Sequence, residues 1–194
     1  MGFLKFVGST ILKIRGWKTT GEMPEEIKKC VIVVAPHTSL DDFIIGRCFY
    51  WTKETPVKFL MKIEAFSNPV FSWLLKQMGA IPVNRGHRNN MVNMMIELFN
   101  KEERLNLVIT PEGTRKMVKK WKKGFYHIAL GAQVPIVLGF MDFEKKLAGY
   151  GPVIYPSGDY DEDLKTMQEF FMNIKAKHPE KFNLDEQYRQ QEAS

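Results

Sequence analysis

Three short segments hold residue types that could do chemistry: "APHTSLDD" at 35–42, "IPVNRG" at 81–86 and "TPEGTRK" at 110–116. In the first, an apolar run stops at Pro36, and His37 is followed by Thr38, Ser39, Asp41 and Asp42. An imidazole with an ordinary pKa of about 6.5 can take a proton near neutral pH. A carboxylate on its other nitrogen fixes the tautomer and stabilises the imidazolium. Asp41 and Asp42 are both placed to serve. Ser39 with Asp42, or Thr38 with Asp41, has the spacing of a helix capping box, so a purely structural turn competes with the chemical reading.

The second segment puts Arg85, a permanent cation that grips phosphate bidentately, between a strand and a turn glycine. In the third, Pro111 and Gly113 shape a tight turn around Glu112, with Thr114 and Arg115 behind it. A carboxylate beside an arginine suits a polyol phosphate, which needs an acceptor for its hydroxyls and a donor for its phosphate. Each segment alone is also an ordinary surface loop.

The elements that must position these loops alternate in type. "CVIVVA", "PVKFLMK", "AIPV", "LNLVIT" and "VPIVLGF" read as strands, and a hairpin or edge strand is expected near "AGYGPVIY". Helices are expected over about 40–51, in "PVFSWLLKQM" up to Gly79, over 88–102, in "GFYHIALGA" and over 161–177. This alternation implies a single α/β domain with a mostly parallel central sheet covered by helices. Chemistry in such folds gathers where loops leave the carboxyl ends of strands.

Composition narrows the partners. With 44% hydrophobic residues in 194, the chain can bury a core. Cys30 and Cys48 lack disulfide or zinc spacing, which fits a reducing, cytoplasmic compartment and no metal. No stretch approaches the roughly 18 apolar residues of a membrane span, and no secretory leader is read. Residues 1–158 carry 23 Lys+Arg against 13 Asp+Glu, whereas 159–194 carry 5 against 9. A cationic body with an acidic C-terminal tail favours anionic partners. No helix-turn-helix or RNA-binding signature points to nucleic acid.

Residues 1–20 form an N-terminal unit, with Leu4, Val7, Ile11 and Ile14 at helical spacing beside Phe3. It is either a membrane-interface anchor or a helix docked on the body formed by residues 21–194. In "RKMVKKWKKG", Lys119, Lys120, Lys122 and Lys123 surround Trp121, a pattern suited to an anionic membrane or to a donor's phosphates.

Together the three segments resemble the phospholipid and glycerol acyltransferase family, typified by 1-acyl-sn-glycerol-3-phosphate acyltransferases. The family's H-x-x-x-x-D block corresponds to His37–Asp42, its arginine block to "IPVNRG", its E-G-T-R block to Glu112, Gly113, Thr114 and Arg115, and its proline-led strand to "VPIVLGF". The resemblance implies acyl transfer from acyl-CoA or acylated carrier protein to a lysophospholipid hydroxyl, without a further cofactor. His37 would be the general base and Asp42 its partner. Arg85, Glu112, Gly113, Thr114 and Arg115 would hold the acceptor. Lysophosphatidate is the acceptor it implies, with a lyso-aminolipid as alternative. A non-catalytic anion-binding module and a metal phosphoesterase are the competing classes. The protein is expected to sit peripherally on the inner face of the membrane. The family spacing also favours Thr38 as helix N-cap, which gives Asp41 the capping role and frees Asp42 for His37.

Overall fold

The computed structural model describes residues 2–84 and 88–184, without the side chains of 88–90. The β-branched run becomes β2 (Lys29–Val34), in which Cys30 to Val34 are all buried. A strand this apolar is stable only with cover on both faces. It lies fourth in a seven-stranded sheet of order β1 (Lys18–Thr20), β7 (Leu147–Ile154), β6 (Ile136–Asp142), β2, β5 (Leu105–Ile109), β3 (Lys58–Lys62) and β4 (Ala80–Val83). The strands from β6 to β4 in that order are parallel, β7 runs antiparallel to β6, and β1 is parallel to β7. The mostly parallel α/β domain expected from the sequence is the one observed.

Two crossovers, through α2 (Leu40–Thr52) and α3 (Pro69–Gln77), step outward from β2 to β3 to β4. Two others, through α4 (Arg88–Lys101) and α5 (Gly124–Gly131), step back to β5 and β6. Right-handed crossovers therefore put α2 and α3 on one face and α4 and α5 on the other. On the second face, α6 (Tyr160–Met172) packs Leu164, Met167 and Phe171 with Phe125 and Ile128. On the first, α1 (Phe3–Ile14) packs Leu12 with Ile45 and Cys48. β2 serves both faces by alternation, sending Val31 and Val33 one way and Cys30, Ile32 and Val34 the other.

The docked and anchoring readings of α1 prove compatible in geometry. Gly8 lets α1 approach α2 closely, since an added Cβ would stand 2.6 Å from the Cys48 carbonyl oxygen. Phe3, Leu4, Phe6 and Ile14 remain exposed on the other side.

Some elements depart from expectation. "AGYGPVIY" belongs to β7, which is interior because the short β1 covers its outer edge. The helix expected over 161–177 ends at Met172. The acidic tail beyond Leu184 lies outside the described residues. For the site, one alignment matters: Val33 is level with both Ile109 and Leu138. The loops after β2 and β5 consequently leave the same edge of the sheet side by side.

Candidate active site

β2 ends at Val34, and the chain turns through buried Ala35 and Pro36 to His37, whose side chain is 22% exposed. α2 then begins with Ser39 as N-cap, not Thr38. Thr38 is otherwise engaged: its hydroxyl accepts the His178 N–H at 3.3 Å, beyond α6. Asp42 is thus the N3 residue of a capping box, accepting the Ser39 N–H at 2.7 Å, while Ser39 Oγ accepts the Asp42 N–H at 3.3 Å. The same Oδ2 accepts the Thr38 N–H at 2.6 Å and lies 3.4 Å from His37 Nδ1, and Oδ1 accepts the Ser39 hydroxyl at 2.8 Å.

The capping role and the histidine pairing, which the sequence had assigned to different aspartates, fall to one carboxylate. Burial pushes the Asp42 carboxyl up, but bonds from His37, Ser39 and Thr38 outweigh it and hold the group below its ordinary pKa. A buried, fixed anion next to Nδ1 favours the tautomer with its proton there, which leaves Nε2 as the basic nitrogen.

Glu112, in the turn after β5, is equally buried. Its Oε1 accepts the His37 backbone N–H at 3.0 Å, and its Oε2 has no partner among the described residues. Burial pushes this carboxyl up to about 8. Glu112, 2% exposed beneath the histidine loop, supports that loop through Oε1. Gly113 has φ +63°, a conformation that favours glycine, and the Lys122 side chain crosses it where a Cβ would sit, 2.3 Å from Nζ.

A sequence profile of the Acyltransferase family matches residues 18–138, which span His37, Asp42, Glu112 and the turn behind it. The chain belongs to the acyltransferase family. It is 27% identical over 138 residues to an uncharacterized acyltransferase of Schizosaccharomyces pombe, covering 68% of this chain and 48% of that one. It is 28% identical over 137 residues to a 1-acyl-sn-glycerol-3-phosphate acyltransferase of Limnanthes douglasii, with 68% and 47% covered. The chain thus spans about half the length of the curated relatives it matches. The crystal structure of the 1-acyl-sn-glycerophosphate (LPA) acyltransferase PlsC from Thermotoga maritima superposes with a TM-score of 0.60 at 17% identity, covering 98% of this chain and 79% of that one. At that identity the likeness is one of fold.

The remaining residues of the family's blocks are placed unequally. Thr114 Oγ1 accepts the Lys116 N–H at 3.3 Å, and Arg115 is exposed at the start of the basic loop. Arg85 lies outside the described residues. Lys119 and Lys120 are exposed, as is Lys123, whose ammonium sits 4.1 Å over the Tyr160 ring. Trp121 contradicts its expected role as a membrane or donor contact. It is 4% exposed, edge-on to Phe171, and its Nε1–H donates to the Asn183 carbonyl at 3.3 Å, so it anchors the loop in the core.

Asp41 pairs with Lys177 and, at 3.2 Å, with Arg15; the Lys177 bond first, then Arg15, holds its carboxyl below the ordinary range. Lys177 and His178 thus clasp the histidine loop from the far end of the chain. Nothing in their local sequence signals this, because the contact spans more than 130 residues.

Proposed function

We propose that the protein transfers a fatty acyl group from a thioester, acyl-CoA or acylated carrier protein, to the hydroxyl of a lysophospholipid such as lysophosphatidate. The observation that carries this reading is the His37–Asp42 pair, held by a capping box at the carboxyl edge of a parallel sheet. Nε2 of His37 takes the acceptor's hydroxyl proton as the oxygen attacks the thioester carbonyl. The tetrahedral intermediate collapses as its C–S bond breaks and the carbonyl re-forms, and His37 returns the proton to the departing thiolate. Asp42 steadies the imidazolium in between.

Direct transfer is favoured over an acyl-cysteine. Cys30 and Cys48 are buried, and burial pushes both thiols up, Cys30 to about 12. A thioester is already activated, so the reaction asks for no metal or other cofactor. Arg115, with Arg85, is assigned to the acceptor's phosphate. The exposed apolar residues of α1 and the basic loop suit peripheral attachment to an anionic membrane, which the localisation proposed here places on its cytoplasmic face. No helix among the described residues is long and apolar enough to cross a membrane.

The test is thiol release from long-chain acyl-CoA with lysophosphatidate or a lyso-aminolipid as acceptor. His37→Ala should slow turnover by roughly 100 to 10,000-fold without changing the melting temperature. A folded His37→Ala protein with near-normal turnover would refute the mechanism. Preference for the lyso-aminolipid would keep the chemistry and replace the acceptor.

A further inference from the structure

The helix α3 wears its amphipathic pattern outward. Val70, Trp73 and Leu74 stand at i, i+3 and i+4, the spacing that normally faces a core, yet they are 78%, 64% and 46% exposed. Phe71 beside them is also exposed, as is Ile63 in the turn before the helix. The inner side buries Leu75 alone. The helix is nevertheless well formed, with Pro69 in its first turn and Asn68 Oδ1 accepting the Phe71 N–H at 3.1 Å. Lys62 precedes the stripe and Lys76 closes it, both exposed, with Glu64 the acidic side chain of the segment. The turn and α3 follow β3, so they start from the same strand-end edge as His37, and a right-handed crossover puts them on the face that also carries α1.

We infer that α3 is a second membrane-inserting element, which seats Val70, Phe71, Trp73 and Leu74 in one leaflet of an anionic phospholipid bilayer. A preformed helix with an aromatic-rich apolar stripe between lysines matches a lipid surface in both polarity and charge. Its setting agrees, because the apolar side chains left exposed by α1 lie on the same face of the sheet. The inference rests on the acyltransferase reading only in that a lipid acceptor brings the chain to a bilayer.

Trp73 is a built-in reporter, since Trp17 and Trp121 are buried and Trp51 is half-buried. Vesicles of phosphatidylglycerol and acyl-brominated phosphatidylcholine should quench the emission of the full chain, and Trp73→Phe should abolish most of that quenching. Phe71→Ser/Trp73→Ser should lower vesicle partitioning by roughly 100-fold at an unchanged melting temperature. Raised salt should release only part of the wild-type protein, since apolar insertion is not screened. Binding to vesicles with Trp73 unquenched would overturn the inference and leave attachment to α1 or the basic loop. Shielding of Trp73 from acrylamide without vesicles, in a protein of dimer mass, would overturn it in favour of a second copy of the chain. Insertion without thiol release would count against the acyl-transfer reading alone.

Discussion

The two faces of the sheet both bury a core, but their helices treat the apolar side chains on their outer sides differently. On the face of α4, α5 and α6, Phe99, Phe125, Tyr126, Met167 and Phe171 are fully enclosed, and each helix leaves one large apolar residue exposed, Met94, Leu130 or Met172. On the face of α1, α2 and α3, eleven of the sixteen exposed large hydrophobics of the described residues are found, counting the turn before α3. Burying one such side chain stabilises a fold by about 1.5–3 kcal/mol. The first face uses that gain for stability. The second does so beneath α1 and α2, where Ile45, Phe49 and Tyr50 are enclosed, but leaves the outer apolar stripes of α1 and α3 uncovered among the described residues, as the proposed bilayer contact requires.

The comparison breaks most visibly if residues of the two faces respond alike. Phe171→Ala should destabilise by about 3–5 kcal/mol, because it empties a site packed between Trp121 and Phe170. Trp73→Ala on the open face should stay within about 0.5 kcal/mol, although it removes a larger side chain. Denaturant melts of both variants decide this; comparable losses would mean that α3 is part of the core.

The edge between the faces offers a smaller effect with a distinctive shape. Glu112 has a raised pKa, so between its ordinary 4.5 and about 8 the folded state holds a proton that the unfolded state has released. Stability should therefore fall as pH rises through that window. Glu112→Gln, which keeps a carbonyl for the His37 N–H, should flatten the slope. An unchanged slope in urea melts from pH 5 to 8 would show that Glu112 is ionised in the fold.

Smaller still in stability, but not in rate, is the contrast between the two aspartates. Asp42→Asn should cost about 1–2 kcal/mol through the weakened cap and lower turnover by orders of magnitude. Asp41→Asn removes partly exposed ion pairs and should cost at most about 1 kcal/mol, with turnover nearly intact. Equal losses of turnover would mean that Asp42 acts only as a cap.

What could be read beforehand was local. The run "CVIVV" has one stable use, and the turn "PEGTR" has residues matched to its backbone, so the central strand and the glycine at φ +63° were legible. The N-cap was not, because Ser39 and Thr38 fit equally until the His178 N–H occupies the Thr38 hydroxyl. Trp121 misled for a similar reason: lysines on both sides describe a surface, while its partners Phe171 and Asn183 lie at least 50 residues away. The periodicity of α3 specified a helix and was silent about which way the stripe would point. β1 is three residues long and defined by pairing with β7, over 120 residues later.

The position of Asp42 has a consequence for how this protein can change. One carboxylate starts a helix and, in the proposed mechanism, also steadies the proton acceptor, so the two traits would share a single failure mode. A lineage could not trade catalytic vigour against robustness at this residue as it could where the tasks are divided. Drift that preserved only the helix start would leave a well-folded, idle chain, and drift that preserved only the charge would fray the helix that aims it.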